Sequence, residues 1–172
     1  MIMENSLDKP IRELLQTIQQ RTFKSTYFGV PAVKNPMDFW IYQEIIFEVK
    51  PNTIIEIGTR NGGTTLALAH MLDNLRQGQV ISIDINHRKV PSIVRNHPRI
   101  TLVTGDACSR FEAVRTVVGD QKPVLIIEDS SHTYDNTLNV LRTYNSLITR
   151  GSYFIVEDGI CHHGLEEGPY PG

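Results

Sequence analysis

Acidic residues recur at the ends of apolar runs along this chain, and their spacing suits recognition of a nucleoside. Glu56 lies inside the run Thr53-Ile54-Ile55-Glu56-Ile57. A carboxylate buried there is costly unless something pairs with it; a ligand ammonium or a nearby backbone N–H would serve. The run leads into Gly58-Thr59-Arg60-Asn61-Gly62-Gly63. Gly58 and Gly62 let the backbone turn tightly and approach a ligand with no Cβ in the way. The pattern G-x-x-x-G-G is neither the G-x-G-x-x-G of dinucleotide enzymes nor a P-loop, so it carries no phosphate signature. Asp84 ends the next run, where a carboxylate accepts hydrogen bonds from both ribose hydroxyls. Asp106, in Thr104-Gly105-Asp106-Ala107, is placed to read an adenine amino group. Taken singly, the glycines are equally a structural turn with Glu56 satisfied internally, and each aspartate a solvated strand end or a helix cap. Together they point to an adenosine ligand, read here as S-adenosylmethionine (SAM). The cofactor-binding residues are then Glu56, Gly58, Thr59, Asn61, Gly62, Gly63, Asp84, Asp106 and Ala107.

A second set of reactive side chains follows. Asp129 ends the fourth run, His132 comes three residues later, and Glu157-Asp158 end the fifth. If these runs are neighbouring strands, their ends lie about 4.8 Å apart. Three carboxylates crowded together repel, and at least one keeps its proton. A divalent cation relieves this. All-oxygen ligands favour a hard ion such as Mg²⁺, with Mn²⁺ and Ca²⁺ as alternatives, and make a poor zinc site. Such an ion would lower the pKa of a substrate hydroxyl and fix it near a sulfonium methyl. His132 would accept the proton. The plainer alternatives are a helix N-cap for Asp129, a backbone-bonded loop histidine for His132 and a polar strand end for Glu157-Asp158. Cys161-His162-His163 is weaker, since three adjacent residues seldom converge on one ion. No 2-His-1-carboxylate spacing for non-haem iron stands out.

These residues need a scaffold that gathers strand ends. Residues 7–22 have helical spacing of Ile11, Leu14, Leu15 and Ile18. Residues 27–36 read as a loop broken by Gly29, Pro31 and Pro36, and Pro36 opens a helix that stops at Pro51. Strands are then predicted at 53–57, 79–84, 100–104, 123–128 and 152–157, and helices at 63–75, 87–95, 109–118 and 135–148. Charge-poor β-branched runs such as Val80-Ile81-Ser82-Ile83 and Val124-Leu125-Ile126-Ile127 read as buried parallel strands. Strand–helix alternation predicts an α/β doubly wound sheet.

Four motifs carry a family resemblance. They are Tyr42-Gln43-Glu44-Ile45-Ile46; Lys50-Pro51-Asn52-Thr53-Ile54-Ile55-Glu56-Ile57-Gly58 with Gly62-Gly63-Thr64; Asp129-Ser130-Ser131-His132-Thr133-Tyr134; and Val156-Glu157-Asp158-Gly159. With the tail Gly168-Pro169-Tyr170, they make the chain resemble the cephalosporin-hydroxylase/rhamnosyl O-methyltransferase family from about Phe28 onward. The resemblance implies a Rossmann-like SAM-methyltransferase three-layer sandwich with a mainly parallel sheet. Related macrolide-sugar O-methyltransferases share the D-x-x-H and E-D elements. By that likeness Asp129, Glu157 and Asp158 bind magnesium, and His132, aided by Asp129, is the catalytic base. A complete sheet of this type adds two more strands, so the sheet here is expected to lack its last two. The expected division is an N-terminal helical segment, 1–50, acting as lid or oligomer contact with Tyr27, Phe28 and Trp40 as anchors, and a SAM-binding domain, 51–172, without its C-terminal part.

The bulk numbers set outer bounds. At 172 residues and net charge −2, the chain fits one domain and lacks the basic character of a nucleic-acid binder. No apolar run spans a bilayer. Two cysteines without a CxxC pair suggest a reducing cytoplasm. The expected partner is a small hydroxylated acceptor, with no nucleic acid or membrane partner, and a sheet edge left open would suit a homo-oligomer. Three activities stay open: a metal-assisted O-methyltransferase on a sugar or natural-product-like metabolite, a hydroxylase of the cephalosporin type, and a non-catalytic SAM-binding module.

Overall fold

The computed structural model describes residues 24–159, together with Glu13, Ile18, Gln20 and Thr22, which are helical. A short hairpin opens the described part: β1 (Thr26–Tyr27) pairs antiparallel with β2 (Val30–Pro31). Helix α1 (Pro36–Val49) follows, capped by the Asn35 side chain, which accepts from Met37 N. The remaining elements are β3 (Thr53–Ile57), α2 (Gly63–Leu75), β4 (Gln79–Asp84), α3 (Ser92–Arg95), β5 (Ile100–Thr104), α4 (Phe111–Val118), β6 (Val124–Glu128), α5 (Tyr134–Tyr144) and β7 (Phe154–Val156).

The five strands β3 to β7 form one parallel sheet in the order β5-β4-β3-β6-β7. The chain starts in the middle, builds outward through β4 and β5, and then returns to build the other half. The switch point therefore lies between β3 and β6, at whose carboxyl ends such sheets bind ligands. Two-residue alternation sends side chains of each strand to opposite faces. Ile55, Ile57, Ile81, Ile83 and Ile126 pack with Val114 and Val118 of α4 and Val140 and Tyr144 of α5. Ile54, Val80, Leu125 and Ile127 pack with Tyr42 and Ile46 of α1 and Leu68, Ala69 and Leu72 of α2. The result is the predicted three-layer sandwich, and each fully buried aliphatic side chain contributes about 1.5–3 kcal/mol. Among the described residues no helix is long and apolar enough to cross a membrane.

The structure departs from the sequence reading in local places. The loop predicted at 27–36 contains the β1–β2 hairpin, whose Val30 packs on Leu66, Val90 and Val94. The helix predicted over 87–95 shrinks to Ser92–Arg95, because Pro91 has no N–H and starts a helix rather than continuing one. Helix α5 ends at Tyr144 instead of 148. Phe28 and Trp40, expected as apolar anchors, are exposed. The Cys161-His162-His163 cluster and the 168–170 motif lie outside the described residues.

Candidate active site

A cleft of about 530 Å³ opens at the carboxyl ends of the central strands. The turn after β3 forms its floor. Gly58 has φ +110°, and a Cβ there would lie 1.9 Å from the carbonyl oxygen of Asp129. Only glycine allows the β3 turn and the end of β6 to approach this closely. Gly62, also in the left-handed region, abuts Val94, and a Cβ on Gly63 would meet the Pro31 carbonyl oxygen at 2.5 Å. These two glycines thus pack the turn against α3 and the hairpin. Gly63 also lines the cleft, whereas Asn61 and Gly62 do not.

Glu56 is fully buried. Its Oε2 accepts hydrogen bonds from the hydroxyls of Thr65 and Ser82, both at 2.5 Å, while Oε1 has no hydrogen-bond partner. Burial pushes its pKa up to about 7 against the pull of those hydroxyls. The carboxylate lies beneath the cleft rather than among its lining residues. A buried chain continues outward: Ser82 Oγ meets Thr59 Oγ1 at 2.6 Å, Thr59 meets His87 Nε2 at 3.1 Å, and His87 Nδ1 meets Thr104 Oγ1 at 2.8 Å. Thr59 therefore lines the cleft while its hydroxyl serves this network. Burial lowers the His87 pKa, so the ring stays neutral near pH 7.

Asp84, Asp106 and Ala107 all line the cleft. Asp84 Oδ2 accepts from Arg60 N at 2.7 Å, which fixes the carboxylate and leaves further lone pairs for a diol. Asp106 Oδ1 accepts from Ser109 N at 2.8 Å. That bond to the backbone is the main reason its pKa is lowered. Ala107 is tied by its carbonyl to the Tyr144 hydroxyl at 2.8 Å.

Asp129, His132 and Asp158 of the second set line the opposite wall, Glu157 does not, and here the structure adds a residue the sequence reading missed. Lys34 Nζ donates to Asp129 Oδ2 at 2.7 Å and lies 3.0 Å from Glu157 Oε1. Its side chain is only 4% exposed. Burial alone would lower the lysine pKa, but the charges and hydrogen bonds of Asp129 and Glu157 outweigh it and hold the ammonium well above the ordinary lysine range. Lys34 is thus a fixed cation rather than a base. Burial raises the pKa of both Asp129 and Glu157, and Lys34 pulls each back. Asp38, on the first turn of α1, joins this field: burial raises its pKa, Lys34 opposes the rise and Asp158 adds to it.

His132 and Asp158 complete the wall, each held in a left-handed backbone conformation (φ 55° and 54°). Non-glycine residues persist there only when their surroundings hold them, and such strain clusters at functional sites. His132 Nε2 is 3.3 Å from Asp158 Oδ2 and 3.9 Å from Asp129 Oδ1. One ligand atom from each of Asp129, His132 and Asp158 lies within 4.8 Å of the others. Asp129 does not cap α5, since Thr133 is the N-cap residue and makes no side-chain capping bond. Four carboxylates here face one ammonium, and the oxygen-rich remainder suits a hard divalent ion. Of the expected trio, Asp129 and Asp158 are gathered with His132, whereas Glu157 stays outside that group and faces Lys34; an ion held by Asp129 and Asp158 would draw in Glu157 only in competition with Lys34.

Glu128 is a second residue missed from sequence. It is fully buried, accepts from Ser130 N at 3.2 Å, from the Ser130 hydroxyl and from Thr137 Oγ1 at 3.1 Å, and so anchors the loop that carries Asp129 and His132. The repeated Glu-Asp pair, at 128–129 and 157–158, was the available signal.

The strand order and the cleft at the switch point define the Rossmann-like fold of class I SAM-dependent methyltransferases. A caffeoyl-CoA O-methyltransferase-like structure from Staphylococcus aureus shares the fold at TM-score 0.64 and 19% identity, over 91% of this chain and 70% of that one. The profile of the Rhamnosyl O-methyltransferase/CmcI family matches residues 19–171, and the chain belongs to that family. A rhamnosyl O-methyltransferase from Mycobacterium bovis (strain BCG / Pasteur 1173P2) is 30% identical over 158 residues, covering 86% of this chain and 64% of the relative. A solved cmcI structure with Mg and SAM superposes at TM-score 0.65 with 26% identity, over 80% of this chain and 59% of that one. The chain thus spans slightly less than two thirds of the curated relative's length.

Proposed function

We propose that this chain binds SAM and carries out a cation-assisted O-methylation of a hydroxyl on a sugar or similar small metabolite. The observation that carries the reading is the convergence of Asp129, His132 and Asp158 on one wall of a cleft whose other side holds Asp84 and Asp106, with Glu157 set behind that wall against Lys34. SAM supplies an activated methyl group, and a hard divalent ion such as Mg²⁺ supplies charge that lowers the pKa of the acceptor hydroxyl.

The chain's own residues do the rest. Asp84 orients the nucleoside through its ribose, and Asp106 with Ala107 borders the base. Glu56, below the floor, stiffens the turn of Gly58 and Thr59 through Thr65 and Ser82. Asp129 and Asp158, with Glu157 behind them, would hold the ion. His132 Nε2 takes the hydroxyl proton, and Asp158 at 3.3 Å stabilises the imidazolium that results. Lys34 keeps Asp129 and Glu157 together when their charges would drive them apart. Orientation accounts for much of the remaining acceleration, since the methyl donor is already activated.

The name of the mycobacterial relatives favours a deoxyhexose hydroxyl as acceptor. In the 1–50 segment, Pro31, Ala32 and Val33 line the cleft, which supports a covering role. Helix α1 turns Met37, Trp40, Ile41 and Phe47 outward, which supports a homo-oligomer. A cytoplasmic setting accords with the two cysteines. The test is mass analysis of a rhamnosyl acceptor incubated with the chain, SAM and Mg²⁺. The product gains one CH₂, and Asp129→Asn abolishes the gain while SAM still binds. A gain of one oxygen, or methyl transfer untouched by Asp129→Asn, overturns the proposal.

A further inference from the structure

We propose that His70, Asp73 and His97 form a second metal site, for Zn²⁺, on the side of the molecule away from the cleft. None of the three lines the cleft. His70 and Asp73 lie three residues apart on α2, hence on one helix face. His97 stands in the turn that leads into β5, at the amino-terminal edge of the sheet. Sequence spacing alone does not reveal this 2-His-1-carboxylate set, because His97 joins it only through the fold. One ring nitrogen from each histidine and one carboxylate oxygen all lie within 4.8 Å of one another. His97 Nε2 is 3.1 Å from Asp73 Oδ2.

The surroundings of His70 and Asp73 resemble a prepared ligand shell, whereas His97 Nδ1 accepts from Arg99 N at 3.3 Å, a contact that zinc on His97 Nε2 would displace. His70 Nδ1 is 3.2 Å from the Tyr27 hydroxyl, leaving Nε2 as its ligand nitrogen. A polar group on the far nitrogen is what metal-bound histidines ordinarily carry, because it fixes the tautomer and the ring plane. The His70 ring also packs against Tyr27, Phe28 and His97, each with a centroid separation of 5.5 Å. Asp73 Oδ1 accepts from Arg99 Nε at 2.5 Å, so the carboxylate is oriented with Oδ2 toward His97. The Asp73 side chain is 44% exposed and that of His97 11%, which gives water access to a fourth position. Two imidazoles, one carboxylate and one water make a tetrahedral zinc set. The oxygen-rich group at Asp129, Glu157 and Asp158 prefers a harder ion, so the two sites sort different metals. Bound zinc would tie α2 to the segment before β5 and, through Tyr27, to the hairpin. The inference is independent of the proposed methyl transfer.

Titration of Zn²⁺ into the full chain by calorimetry, with Tm followed in parallel, tests it. One zinc binds and raises Tm. His70→Gln and His97→Gln each weaken binding at least about tenfold, and Tyr27→Phe weakens it about tenfold through the outer partner. Asp129→Asn leaves this binding event in place. Circular dichroism checks that the variants are folded, and Asp73→Asn, nearly isosteric, provides a further variant that loses zinc. Zinc binding unchanged in both histidine variants, or lost only in Asp129→Asn, overturns the proposal. So does a chain that binds no zinc while His97→Gln still lowers Tm, since His97, Asp73 and Arg99 are then a salt bridge only.

Discussion

Replacing Lys34 with methionine keeps most of the stem and removes the charge, and the site geometry sets the expected effect. The ammonium lies 2.7 Å from Asp129 and 3.0 Å from Glu157. At an effective dielectric constant near 20, each contact is worth roughly 5–6 kcal/mol of gross attraction. Desolvating the lysine and two carboxylates costs several kcal/mol per ion, so the intact cluster adds little net stability. Removing only the cation leaves two buried carboxylates facing each other, which costs about 3–5 kcal/mol. For a chain of this size that corresponds to a fall in Tm of roughly 6–20 °C. Urea unfolding and calorimetry in EDTA measure it. Adding Mg²⁺ recovers part of the loss in Lys34→Met, and Mg²⁺ stabilises this variant more than the wild type because its competitor is gone. Lys34→Arg, which keeps a cation, loses less. A Lys34→Met variant that matches the wild type in EDTA within about 0.5 kcal/mol and responds no more strongly to Mg²⁺ would refute this role of Lys34.

Other perturbations probe separate parts of the site. Gly58→Ala puts a methyl 1.9 Å from the Asp129 carbonyl oxygen at φ +110°, and urea unfolding should show a loss of more than about 3 kcal/mol. Glu56 gives a pH dependence of definite sign. Its folded pKa of about 7 exceeds its ordinary 4.5, so the folded state holds a proton that the unfolded chain has released. Stability therefore falls as pH rises from about 4.5 to about 7, by about 3 kcal/mol at most, and denaturation midpoints of Glu56→Gln across that range show a flatter slope. Glu128→Ala removes the acceptor for Ser130 and Thr137; unfolding should register about 2–3 kcal/mol, and methyl transfer should fall with the loosened loop.

The central strands were legible because their signal is local. Ile54-Ile55 beside Ile57, Val80 to Ile83 and Val124 to Ile127 are short β-branched runs, and β3, β4 and β5 begin and end at the predicted residues. The acids at those strand ends could be placed as soon as the strands were known. What escaped is non-local or small. The hairpin strands have two residues each, too few to show an alternation. Lys34 reads as a loop lysine between Val33 and Asn35, and it meets Asp129 only across 95 positions of chain. Glu128 extends an apolar run by one acid, and only the Glu-Asp pair that it repeats at 157–158 sets it apart. The expected metal trio also acquired an internal competitor, because a charge from the N-terminal segment folds onto a site built by the two C-terminal strands of the sheet. Asn61 and Gly62 shape the turn, and neither lines the cleft, although Arg60 and Gly63 on either side of them do.

The claim that this cleft binds SAM is tested most directly by calorimetric titration of S-adenosylhomocysteine into the purified chain, alongside Asp84→Ala. One binding event is expected in the wild type, with a loss of roughly tenfold to a hundredfold in affinity when the Asp84 carboxylate is removed. No heat with the wild type at any temperature tested, or equal affinity in Asp84→Ala, would contradict it.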